Sequence, residues 1–244
     1  MQKLTIVMYH YVRPILHSSF PEIKGLELDA FSRQLDYLDE KYTIVTSEDV
    51  IKATQGKSSL PANSCWLTFD DGYKDHFSYV MPELIKRGLT GAFFPPKIAI
   101  QTDNLLDVNA IHHILASCQD IILLKEKMNA LLEKNGIPRS QLDKYWKDYG
   151  VANRWDNKNI IYIKRMLQHA ISEDIRREVL GRLFKDYVGV SQEKFSKELY
   201  MSVSEIKSMI ENNMYIGSHG SSHCWLNKIS IDEQRKDIKD SLVF

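Results

Sequence analysis

Cys65-Trp66-Leu67-Thr68-Phe69-Asp70-Asp71-Gly72 sets the terms for the rest of the chain. A short run rich in aromatic and branched side chains meets two carboxylates and a glycine. The run is too short for a helix and has the composition of a buried strand. The acids mark where the chain leaves the sheet.

The same alternation extends on both sides. Upstream, Leu4 to Tyr9 is a β-rich apolar run, predicted as a first buried strand. Leu28 to Glu40 places Phe31, Leu35 and Leu38 at helical spacing, with Asp29 as N-cap. Tyr42 to Val45 reads as a strand. Thr46 or Ser47 caps a short helix with Val50 and Ile51 inward, ending before Gly56. Downstream, a helix is predicted from Lys74 to Arg87, bent or broken by Pro82, with Gly88 just past its end. Thr90 to Phe94 is a further strand, closed by Pro95-Pro96. Strand and helix alternating with short links predict an α/β domain round a mostly parallel sheet.

Strand signal then fades between residues 96 and 200. Leu105, Val108, Ile111, Leu115, Cys118 and Ile122 recur at three- and four-residue steps, as do Ile160, Ile163, Leu167, Ile171, Ile175, Val179 and Leu183. These stripes predict an insertion of three or four helices, punctuated by Asn135-Gly136-Ile137-Pro138. The α/β pattern resumes with a capping box at Ser202-Val203-Ser204-Glu205, a strand over Met214 to Gly217, and a second box at Ser230-Ile231-Asp232-Glu233. The expected organisation is 1–95 and 201–244 as one α/β body, with 96–200 inserted.

Composition narrows the function. The chain has 244 residues, 43% of them hydrophobic, enough for a sizeable core. Lys+Arg and Asp+Glu both total 32. A balanced charge argues against nucleic acid as partner, and the apolar content argues against disorder. Cys65, Cys118 and Cys224 stand far apart and form neither a disulfide framework nor a metal-binding pair. No run approaches the ~18 apolar residues of a transmembrane segment. The opening run is too short for a signal sequence, so a cytoplasmic location is expected. Nothing in the pattern bears on oligomeric state.

Two segments carry chemistry, each directly after a strand, at the carboxyl end of the predicted sheet where parallel α/β folds build their sites. At Asp70-Asp71-Gly72 the glycine lets the backbone turn, so both carboxylates can reach one cavity. Neighbouring carboxylates destabilise one another unless a positive charge lies beside them. A divalent metal can take one and leave the other as a base. The plain alternative is a turn aspartate with a solvated neighbour. In the second segment, His219 and His223 lie on one face if the chain makes a helical turn there, close enough to share an ion. Taken together, Asp71, His219 and His223 make a three-ligand set with an open position, and Asp70 is left as the base.

These residues, in this order, resemble the polysaccharide deacetylase family (NodB homology; carbohydrate esterase family 4). Thr68-Phe69-Asp70-Asp71-Gly72 matches its first motif, and Ser218-His219-Gly220-Ser221-Ser222-His223 its second, with Gly220 in place of the usual Ser or Thr. Tyr9-His10-Tyr11-Val12 looks like the Tyr-His segment of one branch. The resemblance covers about 1–95 and 201–244. It implies a distorted (β/α) barrel and a hydrolase that removes an acetyl group from an N-acetylated sugar or glycan precursor. By the same resemblance Asp70 is the catalytic base. Asp71, His219 and His223 are the ligands of one divalent ion, Zn²⁺ first, with Co²⁺, Ni²⁺ or Mn²⁺ as alternatives.

The family's general acid lies in motifs that follow the second, and only 21 residues follow His223. The acid is therefore expected beyond Phe244, and the barrel is read as C-terminally incomplete. The spacing of His10, His17 and His76 gives no argument for that role. Two other readings remain at this level. One is an amide hydrolase with a non-sugar substrate; the other is an inactive metal-binding chain acting through its helical insertion.

Overall fold

The computed structural model describes residues 3–243. Seven strands are present among them: β1 (Leu4–Tyr9), β2 (Val12–Arg13), β3 (Leu26–Glu27), β4 (Thr43–Ile44), β5 (Ser64–Asp70), β6 (Ala92–Phe94) and β7 (Tyr215–Ile216). β2 and β3 pair as a small separate sheet. The other five form one sheet, parallel throughout. β1 takes one edge of β5 over nearly its whole length, from Leu4 opposite Ser64 to Tyr9 opposite Phe69. The other edge is shared. β4 pairs with Ser64 and Cys65, and β6 pairs with Thr68 to Asp70. β7 adds beyond β6. Because the strands are parallel, Tyr9, Asp70, Phe94 and Ile216 all leave the sheet at one end. This is the α/β architecture that the strand–helix alternation predicts.

The helices follow local chemistry closely. α1 (Leu28–Lys41) buries Phe31, Leu35 and Leu38. Its N-cap is Glu27 rather than Asp29, because β3 runs straight into the helix. Asp29 instead lies in the first turn, where the helix dipole favours an acid. α2 (Ser47–Thr54) is opened by a reciprocal Thr46–Asp49 capping box. It buries Val50, but Ile51 is 37% exposed and does not face inward. Pro82 does not break its helix. The backbone widens to a π turn over His76–Val80 and continues as α3 (Met81–Lys86). A wider turn just ahead of a proline is one way to absorb its missing N–H and its ring. The end is a Schellman closure: Leu89 N–H donates to Leu84 O (2.9 Å) and Gly88 N–H to Ile85 O (2.9 Å). α4 (Lys97–Gln101) follows β6.

The chain forms two compact units. One holds the sheet and comprises 3–18, 25–104 and 196–243; the other is helical and comprises 19–24 and 105–195. The helical unit contains α5 (Asp107–Ala116), α6 (Ile121–Lys134), α7 (Arg139–Tyr149), α8 (Lys158–Arg165), which runs into a π turn over Met166–Ala170, and α9 (Glu173–Val188). That is more than the three or four helices expected, because the apolar stripes are cut by short polar turns. Its core is Ile111, Ile114, Leu124, Met128, Leu132, Tyr162, Leu183 and Phe184. Ile122 is 53% exposed and does not belong to the stripe. Asp120 caps α6 through the Ile122 and Leu123 N–H groups, so the helix turns Leu124, Met128 and Leu132 inward instead.

α10 (Gln192–Leu199) leads back to the sheet unit, where α11 (Val203–Glu211) and α12 (Ile231–Ser241) each begin at a capping box, Ser202–Glu205 and Ser230–Glu233. One face of the sheet packs Tyr9, Leu67, Phe69 and Phe93 against Phe31, Leu84 and Met209. Phe69 stacks between Tyr9 (5.1 Å) and Phe93 (4.6 Å). Trp66, Thr68 and Asp70 point to the opposite face. β5 therefore carries side chains on two used faces, which is why it reads as an unbroken apolar run.

Candidate metal centre

The site is built where β5 and β7 end. Asp70 is the last residue of β5. The next two residues have positive φ, Asp71 at 71° and Gly72 at 69°. Position 72 must be glycine for a second reason, since a Cβ there would lie 2.7 Å from the Pro95 Cβ. Asp71 accepts the left-handed conformation at a cost of order 1 kcal/mol, and the turn carries its carboxylate into the protein. Its side chain is only 5% exposed.

The imidazoles arrive on the loop after β7. That loop is not helical, so the spacing of His219 and His223 does not work through a helical turn. Instead Gly220 (φ 78°) and His223 (φ 55°) fold the chain back on itself. Asp237 of α12 fastens the fold. Its Oδ2 accepts from Ser221 N (3.0 Å), and its Oδ1 accepts from Ser222 N (2.7 Å) and Ser222 Oγ (2.5 Å). A Cβ on residue 220 would lie 2.9 Å from Asp237 Oδ2, so the approach depends on glycine. From the other side, the Lys97 and Ile98 N–H groups at the start of α4 donate to Gly220 O (3.2 Å) and Ser221 O (2.9 Å). Burial pushes the Asp237 pKa up, but hydrogen bonds from Ser222 and Ser221 outweigh it and hold the carboxyl below its usual range.

The two turns bring three donor atoms together. Asp71 Oδ1 lies 3.5 Å from His219 Nε2 and 3.3 Å from His223 Nε2. These separations are long for hydrogen bonds, and the buried Oδ1 has no hydrogen-bond partner. They match the edge of a tetrahedron whose bonds are about 2.0–2.1 Å, which is about 3.3–3.4 Å. One carboxylate oxygen and two imidazole nitrogens suit Zn²⁺ or a similar first-row ion. The residues present therefore fit a divalent metal.

Tyr73 completes the arrangement. Its hydroxyl donates to Asp71 Oδ2 at 2.5 Å, leaving Oδ1 alone to face the imidazoles. Burial, reinforced by Tyr11, Asp71 and Tyr200, raises the Tyr73 pKa well above its ordinary value, so the phenol keeps its proton. Burial also pushes Asp71 up, but the two imidazoles and Tyr73 prevail and hold it well below the carboxylate range. The Asp71 carboxylate in turn raises the His219 pKa. Asp70 behaves differently. Burial raises its pKa, opposed in part by His219 and His10. Two adjacent carboxyls thus occupy contrasting environments.

His10 enters this site although its sequence spacing gave no reason to expect it. It follows β1, whose register sets Tyr9 beside Phe69 and so brings His10 level with Asp70. The fully buried His76 donates Nε2–H to the His10 carbonyl (2.8 Å), which fixes that stretch of backbone. Tyr73 and Asp237 were not singled out by the sequence pattern, and His76 gave no sign of its bond to the His10 carbonyl. Only Tyr73 carried a signal, as an aromatic two residues past the acid pair.

No family model and no curated protein matches this sequence. Solved structures do. The Streptococcus pyogenes deacetylase PplD, in complex with acetate, is 17% identical, with a TM-score of 0.50 over 98% of this chain and 65% of its own. IcaB from Ammonifex degensii is 17% identical with a TM-score of 0.48, over 98% of this chain and 67% of its own. A de-N-acetylase from Aggregatibacter actinomycetemcomitans is 26% identical over 41% of this chain and 39% of its own, with a TM-score of 0.36. The chain thus spans about two fifths of that enzyme and 65% of PplD. The likeness to PplD is one of fold.

Proposed function

We propose, from the NodB-type deacetylase fold that this chain has, that it is a metal-dependent hydrolase removing an N-acetyl group from a sugar or glycan precursor. The observation that supports this reading most is the convergence of Asp71 Oδ1, His219 Nε2 and His223 Nε2 beside a second carboxyl, Asp70.

Asp71, His219 and His223 would hold the ion, Zn²⁺ or a similar divalent metal. Such an ion polarises an amide carbonyl and acidifies water, which together make a stable amide hydrolysable near neutral pH. The protein's own groups divide the remaining work. Tyr73 keeps Asp71 anionic and correctly turned. Asp70 is the base, accepting a proton on its carboxylate as water attacks the acetyl carbon. The departing nitrogen must then be protonated, since an amide anion is a very poor leaving group. His10 is the imidazole at the sheet's carboxyl end that can supply that proton.

Acetate release from a panel of N-acetylated amino sugars tests the assignment. Asp70→Asn is expected to lower turnover by about a hundredfold or more while the protein keeps its metal. Equal acetate release by wild type and Asp70→Asn contradicts the base assignment. Turnover of other acetamides but of no sugar in the panel contradicts the substrate class.

A further inference from the structure

In the helical unit one segment combines cations with exposed aromatic side chains. Residues 139–165 carry seven Lys or Arg against three Asp, in a chain whose net charge is zero. Aromatic residues alternate with these cations: Tyr145, Trp146, Tyr149, Trp155 and Tyr162. The loop between α7 and α8 displays Trp155 at 70% exposure and Val151 at 63%. Exposing an indole and an isopropyl group to water is unfavourable, and a connecting loop has no packing need for either.

The loop is held in this shape. Asn153 Oδ1 accepts from the Trp155 N–H (2.8 Å) and the Asp156 N–H (2.8 Å). Beneath them the buried Asp156 carboxylate is clamped between Lys24 (2.6 Å) and Lys164 (2.6 Å). Lys24 also donates to the Trp155 carbonyl (3.3 Å). The backbone at Trp155 and Asp156 is therefore fixed from beneath, while the indole stays exposed. The Arg154 guanidinium lies 4.4 Å from the Trp155 ring centre, and Lys125 and Lys158 lie 4.7 and 5.6 Å from that of Trp146. Cations and indoles share one surface.

We infer that this surface is a peripheral docking site for an anionic lipid bilayer, with Trp155 and Val151 entering the headgroup boundary and Arg154 and Lys158 meeting lipid phosphates. Tryptophan concentrates at the membrane interface, and basic side chains beside it respond to the negative surface potential. The exposed aliphatic Val151 favours a lipid over a soluble anionic glycan, which offers nothing apolar to it. Among the described residues no helix is long and apolar enough to cross a membrane.

Co-sedimentation of the full chain with vesicles tests this, using phosphatidylcholine alone and phosphatidylcholine mixed equally with phosphatidylglycerol. Binding is expected on the anionic vesicles, weak binding on the neutral ones, and release at high salt. Arg154→Glu/Lys158→Glu and Trp155→Ala should each weaken it by about tenfold or more, with unchanged circular dichroism. A blue shift of tryptophan emission on binding should be largely absent in Trp155→Phe. Equal binding to both vesicles, or variants that bind like the wild type, overturns the inference. So does retention on immobilised heparin with no vesicle binding, which would mark the surface as one for anionic glycans.

Discussion

At the scale of single residues, two neighbouring carboxyls are set apart by what touches them. Asp71 is kept anionic by two neighbouring imidazoles and the Tyr73 hydroxyl, and Asp70 is raised by burial. Tyr73 is the least obvious part of this division. Tyr73→Phe keeps the ring stacked on Tyr11 (4.3 Å) but strips Asp71 Oδ2 of its donor. Metal affinity, measured by calorimetry, should fall about 10–100-fold while the fold survives. His76 gives a pH signature. Burial pushes its pKa from 6.5 down to about 4, opposed by its bond to the His10 carbonyl. The folded state prefers the neutral ring, so this contribution to stability is complete above pH 6.5 and is lost as pH falls to about 4. The loss is about 3 kcal/mol. Urea denaturation across that range should show it in the wild type, and His76→Gln should flatten the difference. The acid pair and the paired histidines were legible in the sequence because each follows a strand at fixed spacing. His10, His76 and Asp237 were not, because their roles depend on strand register and on a loop folding back.

Elements read well wherever their cause is local. The capping boxes at Thr46, Ser202 and Ser230 and the closure at Gly88 are set by residues within a few positions of one another. Two boundaries were set by neighbours that the pattern did not single out. Asp29 lost its capping place because β3 feeds directly into α1, and Ile122 faces outward because Asp120 sets the phase of α6. The metal-bearing loop depends on tertiary contact, since Asp237 reaches it from 15 residues away. Asp237→Ala removes the acceptor of the Ser221 and Ser222 N–H groups, at a cost of about 1 kcal/mol. Thermal unfolding should reveal that loss, and zinc titration should show weakened binding although none of the three ligands has changed.

For the molecule as a whole, strand–helix alternation revealed a parallel sheet with its chemistry at one end. It could not show how the helical region is assembled. Residues 19–24 join the helical unit because Phe20 packs edge-on against His113 (4.9 Å) and Phe195 (5.6 Å), contacts between residues remote in the chain. Nor could it show which strand lies beside which, and so what His10 faces. The proposed chemistry depends on one centre made from two distant turns. Its most direct test is titration of the chelator-treated protein with Zn²⁺. One saturable site per chain is expected, retained in Asp70→Asn and lost in His219→Ala/His223→Ala. Absence of saturable binding, or an unchanged isotherm in the double variant, would contradict it.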